Sequence, residues 1–207
     1  MIKTKEIKFN YDNQVFFNFS DINLKSGENL LILGDSGIGK TTLLHILSGL
    51  LKTNSGSIEL FGKEITQFSS FQLDRFRRDN IGVVFQKPHF INSLTVKENL
   101  QLAQYIANKK DNERIDNVLK NLNIFEKLNK KINELSQGEK QRVSIALAIV
   151  NSPKLILADE PTSSLDDDNT FNVIKLLKKQ ASDFGAQLIV ITHDKRLKQH
   201  FKKHIEL

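Results

Sequence analysis

The chain of 207 residues contains no cysteine, and this absence excludes both a disulfide framework and a zinc site built from thiolates. It also lacks any apolar run that approaches the length needed to cross a bilayer. The first residues alternate polar and apolar side chains and contain no apolar core of a signal peptide. We therefore expect a chain that suits a reducing compartment and meets a membrane only at its surface.

Acidic residues are fewer than basic ones, with 24 Asp and Glu against 30 Lys and Arg, so the net charge is +6. Basic residues concentrate near the end of the chain, at Lys195, Arg196, Lys198, Lys202 and Lys203. Such a surface attracts nucleotides, nucleic acids or an anionic membrane face, and charge alone does not choose among them. The chain has no internal repeat and no low-complexity linker, and its length fits a single domain over residues 1–207.

Glycine and proline are both absent from residues 89–137. Apolar residues recur there at helical spacing, and Thr95 with Glu98 forms a capping box that starts the first helix. This pattern predicts a small helical subdomain over residues 87–137, inserted into a core made of residues 1–86 and 138–207. The first part of that core is rich in strand patterns.

Strands and helices alternate in the second part of the core. Apolar strands at 154–158 and 187–191 flank a helix that we expect near 167–182. This alternation predicts a largely parallel sheet that is covered on both faces. Ligands of such sheets bind at the carboxyl ends of the strands, where residues 34–41, Asp159 and His193 are all expected.

One stretch matches the phosphate-binding pattern G-x-x-x-x-G-K-[ST] at every fixed position, and it lies between an apolar strand and a helix. Its glycines let main-chain N–H groups approach an anion, and the helix N-terminus adds further donors. Lys40 would reach the outer phosphates, and Thr41 would offer its hydroxyl to Mg²⁺. The alternative is a glycine-rich turn, which the register of Lys40 and Thr41 disfavours. The predicted nucleotide contacts are Gly34, Asp35, Ser36, Gly37, Ile38, Gly39, Lys40, Thr41 and Thr42.

Asp159 and Glu160 close the apolar strand at 154–158. A buried acidic pair is costly unless a cation or hydrogen bonds compensate it. Beside a phosphate loop Mg²⁺ is the natural cation, with Asp159 as its direct or water-mediated ligand. Glu160 would orient and polarise the attacking water. Without the phosphate loop, two solvated acids at a strand end would be the better interpretation.

Residues 135–142 read LSQGEKQR, in which Ser136 and Glu139 form a second capping box. Gly138 leaves backbone donors uncovered at the positive end of that helix, which makes an anion site. In isolation the run is equally consistent with a well-capped helix. With this run at its spacing to Asp159 and Glu160, however, the chain resembles the nucleotide-binding subunit of an ATP-binding cassette (ABC) transporter. The run is similar to that family's L-S-G-G-Q signature, with Gln137 and Glu139 as variants.

The resemblance covers nearly the whole chain and implies an α/β fold. It implies a P-loop NTPase core with a largely parallel sheet, an N-terminal antiparallel β subdomain and the inserted helical subdomain. The implied activity is hydrolysis of ATP to ADP and phosphate, coupled to transport through separate membrane subunits, with ATP and Mg²⁺ as cofactors. The 158–162 run is similar to the branch with lipoprotein-release, macrolide-export and cell-division cassettes.

The resemblance also assigns roles to individual residues. Tyr11 would stack on adenine, Gln86 would contact Mg²⁺ and water, and His193 would contact the γ-phosphate. Ser136, Gln137, Gly138 and Asp166 would contact nucleotide, the last within a D-loop in which Ser164 replaces the usual alanine. The implied catalytic set is Lys40, Gln86, Glu160 and His193, and the implied metal ligands are Thr41, Gln86 and Asp159.

The partners implied are a second copy or a close paralogue, joined head to tail around ATP, and separate integral-membrane permease subunits. No nucleic acid is expected. The subunit would lie in the cytoplasm, peripheral on the cytoplasmic face of the cell membrane. Phe90 and Leu94 are candidates for the docking surface, unless they pack on the helical subdomain.

A second class of function stays open, namely a non-transporting cassette that acts as a nucleotide-gated regulator or scaffold of a membrane complex. DNA-repair cassettes are disfavoured, because they insert long coiled coils or zinc modules. Three other patterns fail. His200 and His204 lack a third metal ligand, residue 38 is not the glycine of a nucleophile elbow, and no G-x-G-x-x-G is present.

Overall fold

The computed structural model describes residues 1–11, 15–163 and 167–207, with the backbone alone for 167–169. Within these residues the chain forms one antiparallel sheet and one parallel sheet, each of five strands. Helices cover the parallel sheet on both faces. The α/β class predicted from the sequence is therefore confirmed.

The antiparallel sheet is built around a long first strand. That strand pairs with the second, third and fifth strands, and the sixth strand pairs with the fifth. Its members are β1 (Ile2–Tyr11), β2 (Val15–Asn18), β3 (Asn23–Leu24), β5 (Ser55–Leu60) and β6 (Lys63–Glu64). This sheet is the predicted N-terminal antiparallel part.

The strands of the parallel sheet are β4 (Leu30–Leu33), β7 (Ile81–Val84), β8 (Leu155–Asp159), β9 (Gln187–Thr192) and β10 (His204–Glu206). Their order in the sheet is β10-β4-β9-β8-β7, and all pairs run parallel. In this register Leu33 lies opposite Thr192, and Asp159 lies opposite Ile191. The carboxyl ends of β4, β9 and β8 therefore meet at one edge of the sheet.

Six α-helices lie in the described residues, and two of them start at the capping boxes expected from the sequence. Thr95 with Glu98 caps one helix and Ser136 with Glu139 caps another, each with both reciprocal hydrogen bonds. The helices are α1 (Lys40–Leu47), α2 (Ser70–Asn80), α3 (Val96–Ile106), α4 (Asn112–Asn121), α5 (Gln137–Ile149) and α6 (Asp167–Asp183). Short 3-10 turns span Ile65–Gln67, Phe125–Lys127, Ile132–Glu134 and Lys195–His200.

The parallel strands are buried on both faces, and each face supports its own hydrophobic cluster. Leu31, Leu33 and Ile156 join side chains of α3, α4, α5 and α6 in one cluster. Leu30 and Ile32, which point to the opposite face, join α1, α2 and the antiparallel sheet in the other. The helical segment thus shares a continuous core with the parallel sheet, and its division at 87–137 stays a prediction.

Four of the described helices and strands were not predicted from the sequence, namely α2, β3, β6 and β10. The start of α2 carries a third capping box, in which Ser69 and Gln72 exchange hydrogen bonds of 3.3 and 2.8 Å. Of its side chains, those of Leu73 and Phe76 are buried, so the helix has a weak apolar stripe. β10 is a three-residue edge strand in a basic tail, and its pairing with β4 is a long-range contact.

Gly82 in β7 lets this strand approach α5 closely. A Cβ atom built at Gly82 would lie 2.0 Å from the main-chain oxygen of Ala148. Since the obstacle is backbone, the strand and helix would have to separate. We predict that Gly82→Ala lowers the free energy of unfolding by about 1–3 kcal/mol, measured by urea denaturation.

Gly138→Ala is the matched control, because a Cβ there meets nothing within 4 Å. This control should leave stability unchanged or raise it by up to about 1 kcal/mol through helix propensity. Equal stability of Gly82→Ala and the wild type would contradict the close approach.

Candidate active site

The loop between β4 and α1 wraps toward the side chain of Lys40. Gly37 and Gly39 have φ angles of 86° and 101°, a region that glycine adopts without a steric penalty. Lys40 Nζ donates hydrogen bonds of 2.9 Å to the carbonyl oxygens of Gly34 and Asp35. The amine is held over the mouth of the loop, as expected for a group that meets phosphates.

Phe17 lies directly against this loop. A Cβ atom at Gly39 would lie 2.5 Å from Cδ1 of Phe17, so the ring packs against the backbone of the loop. Phe17 also lines a cavity of about 310 Å³ together with loop residues, Thr41, Gln86 and Glu160. Phe17 was not predicted as a site residue, because no pattern in the residues around it indicates a contact with residues more than twenty positions away in the chain.

Asp159 ends β8 in an almost fully buried position, with 3% of its surface exposed. Thr41 Oγ1 donates a 2.8 Å hydrogen bond to its Oδ2, whereas its Oδ1 is buried without a partner among the described residues. Burial raises the pKa of Asp159 above its ordinary range, while the bond from Thr41 opposes this effect; repulsion from Glu160 raises the pKa further. A buried, unpartnered carboxylate oxygen next to a threonine hydroxyl fits a hard divalent cation.

Glu160 is held by several donors at once. Thr192 Oγ1 donates to its Oε2 at 2.7 Å, and Nδ1 of His193 lies 2.8 Å from its Oε1. The backbone N–H of His193 donates to Oε1 at 3.1 Å, and Lys40 Nζ lies 3.5 Å away. Both carboxylate oxygens therefore have fixed directions.

The backbone of Glu160 is also unusual, with a φ angle of 45°. Its N–H donates to the carbonyl of Ile191 at 2.8 Å, which continues the pairing of β8 with β9 by one residue. A non-glycine residue in this region carries strain, and such residues cluster at functional sites. Here the strained residue is the predicted water-polarising acid.

The predicted site residues thus divide into two groups. Contacts and a shared cavity bring together the loop, Thr41, Gln86, Asp159, Glu160 and His193. The signature residue Gly138 instead lines a different cavity, with side chains of α4, α5 and α6. Ser136 uses its hydroxyl and N–H to cap α5. Asp166 lies outside the described residues.

One hydrogen bond links the two groups. Nε2 of Gln141, in the first turns of α5, donates to the carbonyl of Pro161 at 3.1 Å. Because Pro161 directly follows the acid pair, the signature helix is tied to the segment that carries Glu160.

Tyr11 occupies the rim of the site. Its ring is 42% exposed, and its hydroxyl lies 3.3 Å from Oγ1 of Thr42. The ring meets Phe9 and Phe17 edge to face, at centroid distances of 4.7 and 6.2 Å. An exposed aromatic ring next to the phosphate loop is available for stacking, and the role in adenine binding stays a prediction.

No helix in the described part of the chain is long and apolar enough to span a membrane.

Comparison with known proteins identifies a family. The family model described as ABC transporter matches residues 17–163. The chain is 41% identical to the lipoprotein-releasing system ATP-binding protein LolD of Buchnera aphidicola, covering 84% of this chain and 78% of that protein. It is 38% identical to the bacitracin export ATP-binding protein BceA of Halalkalibacterium halodurans, covering 84% and 70%.

Longer proteins and solved structures match as well. The macrolide export ATP-binding/permease protein MacB of Campylobacter jejuni is 38% identical over all of this chain, which spans 33% of that protein. The dimeric structure of the ATP-binding cassette MJ0796 bound to ADP and Pi superposes with a TM-score of 0.89 at 32% identity, covering 100% of this chain and 94% of that one.

The buried position of Asp159 has a consequence for stability. When the pKa of a carboxyl is higher in the folded than in the unfolded chain, the free energy of unfolding falls as pH rises from the unfolded pKa to the folded pKa. We predict that Asp159→Asn raises the melting temperature at pH 7, without nucleotide and metal, by about 2–4 °C. The gain should shrink as pH falls from 7 toward the unfolded pKa of 3.8, because the carboxyl of the folded chain becomes protonated first.

Differential scanning calorimetry between pH 4 and pH 7 measures this effect. Asp35→Asn, at an exposed acid of the same loop, is the control and should give no gain at pH 7. A lower melting temperature for Asp159→Asn at pH 7 would contradict the cost of burying this carboxylate.

Proposed function

The chain belongs to the ABC transporter family, and we propose that it drives separate membrane-spanning subunits by hydrolysing ATP between two copies of itself. As a member of this family it is an ATP-binding ATPase. The observation that carries the proposal is the position of Glu160. Its backbone has a strained φ angle, and the residue lines the cavity of the phosphate loop.

The residues of the site have distinct roles in this proposal. Main-chain N–H groups of the loop and Lys40 bind and orient the phosphates, which is most of what catalysis of phosphoryl transfer requires. Thr41 and Asp159 would hold Mg²⁺, with Gln86 at the same cavity. The ion, when bound, would neutralise charge that develops on the phosphate oxygens.

Glu160 acts as the general base. Thr192 and His193 orient its carboxylate. The carboxylate can therefore accept the proton of the attacking water from a fixed direction. His193 Nδ1 is bound to this carboxylate, and its ring is 56% exposed at the edge of the site. The ring is thereby oriented for contact with the γ-phosphate.

Each copy supplies half of a complete site. Gly138 and the phosphate loop line different cavities. If the signature residues contact nucleotide, a second copy must therefore bring them to the Lys40 loop. Dimerisation in head-to-tail order would also exclude water, which strengthens the interactions with the phosphates.

The proposal of separate membrane subunits is supported by the names of two relatives. LolD and BceA are named as ATP-binding proteins, and the chain spans 78% and 70% of them, whereas MacB combines the cassette with a permease. The substrates in these names differ, namely lipoprotein, bacitracin and macrolide. We therefore propose no particular substrate.

A groove of about 300 Å³ is the proposed docking surface for the membrane subunits. Its lining includes Arg77, Arg78, Phe85, His89 and Leu147. Phe90, one of the two docking candidates, packs against the hydrophobic cluster of the helices, while Leu94 is half-buried. Docking there would place the protein at the cytoplasmic face of a membrane.

We predict that Glu160→Gln lowers the rate of ATP hydrolysis by about 100-fold or more, because the amide cannot accept the proton of water. ATP binding should persist, since the phosphate loop is unchanged. The variant should accumulate as an ATP-bound dimer, measured by light scattering after size-exclusion chromatography. Glu134→Gln, at an exposed acid paired with Lys130, is the control. A Glu160→Gln protein that stays monomeric in ATP at high concentration would count against the mechanism.

Ser136→Arg tests the shared site. The long cation should block approach of the second copy's nucleotide and stop hydrolysis, while ATP binding to the monomer keeps its affinity. A fluorescent ATP analogue measures binding, and phosphate release measures turnover. Ser182→Arg places the same charge at an exposed position of α6 and serves as control. Normal hydrolysis by Ser136→Arg would show that the signature does not act across the dimer.

A further inference from the structure

Three aromatic rings, those of His45, Phe85 and His89, contact one another in a row between α1 and the groove, and we call this row the stack. The centroid of the His45 ring lies 6.5 Å from that of Phe85, with a tilt of 58°. The Phe85 ring lies 5.1 Å from that of His89 and meets it edge to face at 75°. Both separations fall within the range in which aromatic rings interact favourably.

The first ring of the stack is attached to the helix that follows the phosphate loop. His45 lies four residues after Thr41, so the two side chains share one face of α1. The carbonyl of His45 accepts hydrogen bonds from the N–H groups of Leu50 and Leu51, at 2.8 and 3.1 Å, and from the hydroxyl of Ser48 at 3.0 Å. These bonds fix the backbone from which the His45 ring projects.

The second ring lies at the base of the Gln86 segment. Phe85 directly follows β7, and Gln86 after it lines the cavity of the phosphate loop. Phe85 and His89 both line the proposed docking groove. The stack thus runs from the face of α1 that carries Thr41, past the residue next to Gln86, to the surface where the membrane subunits would dock.

We propose that His45 is a positioning residue that holds Phe85, and with it Gln86, in register with the metal-binding end of α1. A displacement of His89 or Phe85 from the groove would be transmitted through the stack to Thr41 and Asp159. This inference rests on the proposed function, because it concerns the metal site and the docking groove assigned there. A leucine in place of His45 would fill the space, but it would lack the aromatic ring that meets Phe85.

The experiment measures the affinity of a fluorescent ATP analogue for the full-length protein, with EDTA and then with increasing Mg²⁺. We expect His45→Ala to raise the Mg²⁺ concentration needed for half-maximal enhancement of binding by about threefold to tenfold. Its affinity in EDTA should stay at the wild-type value, because the phosphate loop is intact. Phe85→Leu should shift the Mg²⁺ dependence in the same direction.

His45→Phe separates the ring from the mere filling of space. It keeps the aromatic contact with Phe85, so its Mg²⁺ dependence should return most of the way to that of the wild type. His204→Ala removes an exposed imidazole on β10 and should change nothing. The ratio of kcat to KM for MgATP, measured on the same proteins, should follow the binding data.

Three outcomes would overturn the inference. The first is a wild-type Mg²⁺ dependence for His45→Ala, and the second is an equal loss of affinity with EDTA and with Mg²⁺, which would indicate general damage to the loop. The third is a His45→Phe protein that behaves like His45→Ala. A wild-type protein whose nucleotide binding ignores Mg²⁺ would instead refute the proposed metal site itself.

Discussion

The parallel pairing of β4, β9 and β8 is the constraint on which the site depends. In this register the residue before the phosphate loop, Leu33, lies opposite Thr192, and Asp159 lies opposite Ile191. A shift of one residue would exchange the side chains that pack into the two hydrophobic clusters, so packing on both faces fixes the alignment. Residues more than a hundred positions apart are thereby brought within hydrogen-bond distance, as in the 2.8 Å bond from Thr41 to Asp159.

This arrangement stores unfavourable free energy at the edge of the sheet. Asp159 keeps a buried oxygen without a partner among the described residues, and Glu160 has a positive φ angle. Both features oppose stability, since an unpaired buried polar atom and a strained backbone each cost about 1–3 kcal/mol. Lys40 compensates part of the charge at 3.5 Å from Glu160. A site built to receive phosphates and a cation is expected to be less stable without them, and natural proteins accept that cost at functional positions.

Sequence reasoning was strongest where a local pattern carries its own physical cause. The phosphate loop, the capping boxes at Thr95 and Ser136 and the apolar strands are each specified by neighbouring residues, and the structure contains them all. It was weakest where a role comes from a distant contact. The ring of Phe17 packs against Gly39 and that of His45 meets Phe85, and no residue close to either ring in the sequence indicates these contacts. The positive φ of Glu160 has no sequence signal at all, because it results from the turn between β8 and the following segment.

The bond from Gln141 to Pro161 has a consequence for two copies that share their sites. Within one copy it ties the start of α5 to the residues that directly follow Glu160. In the proposed head-to-tail dimer, α5 of each copy would contact the nucleotide held by the other, while Glu160 would act on the nucleotide of its own copy. Movement of α5 in response to one nucleotide would therefore act, through Pro161, on the acid that serves the second. In the proposed dimer both sites would bias the same short segment, and this segment would be a physical basis for coupling between them.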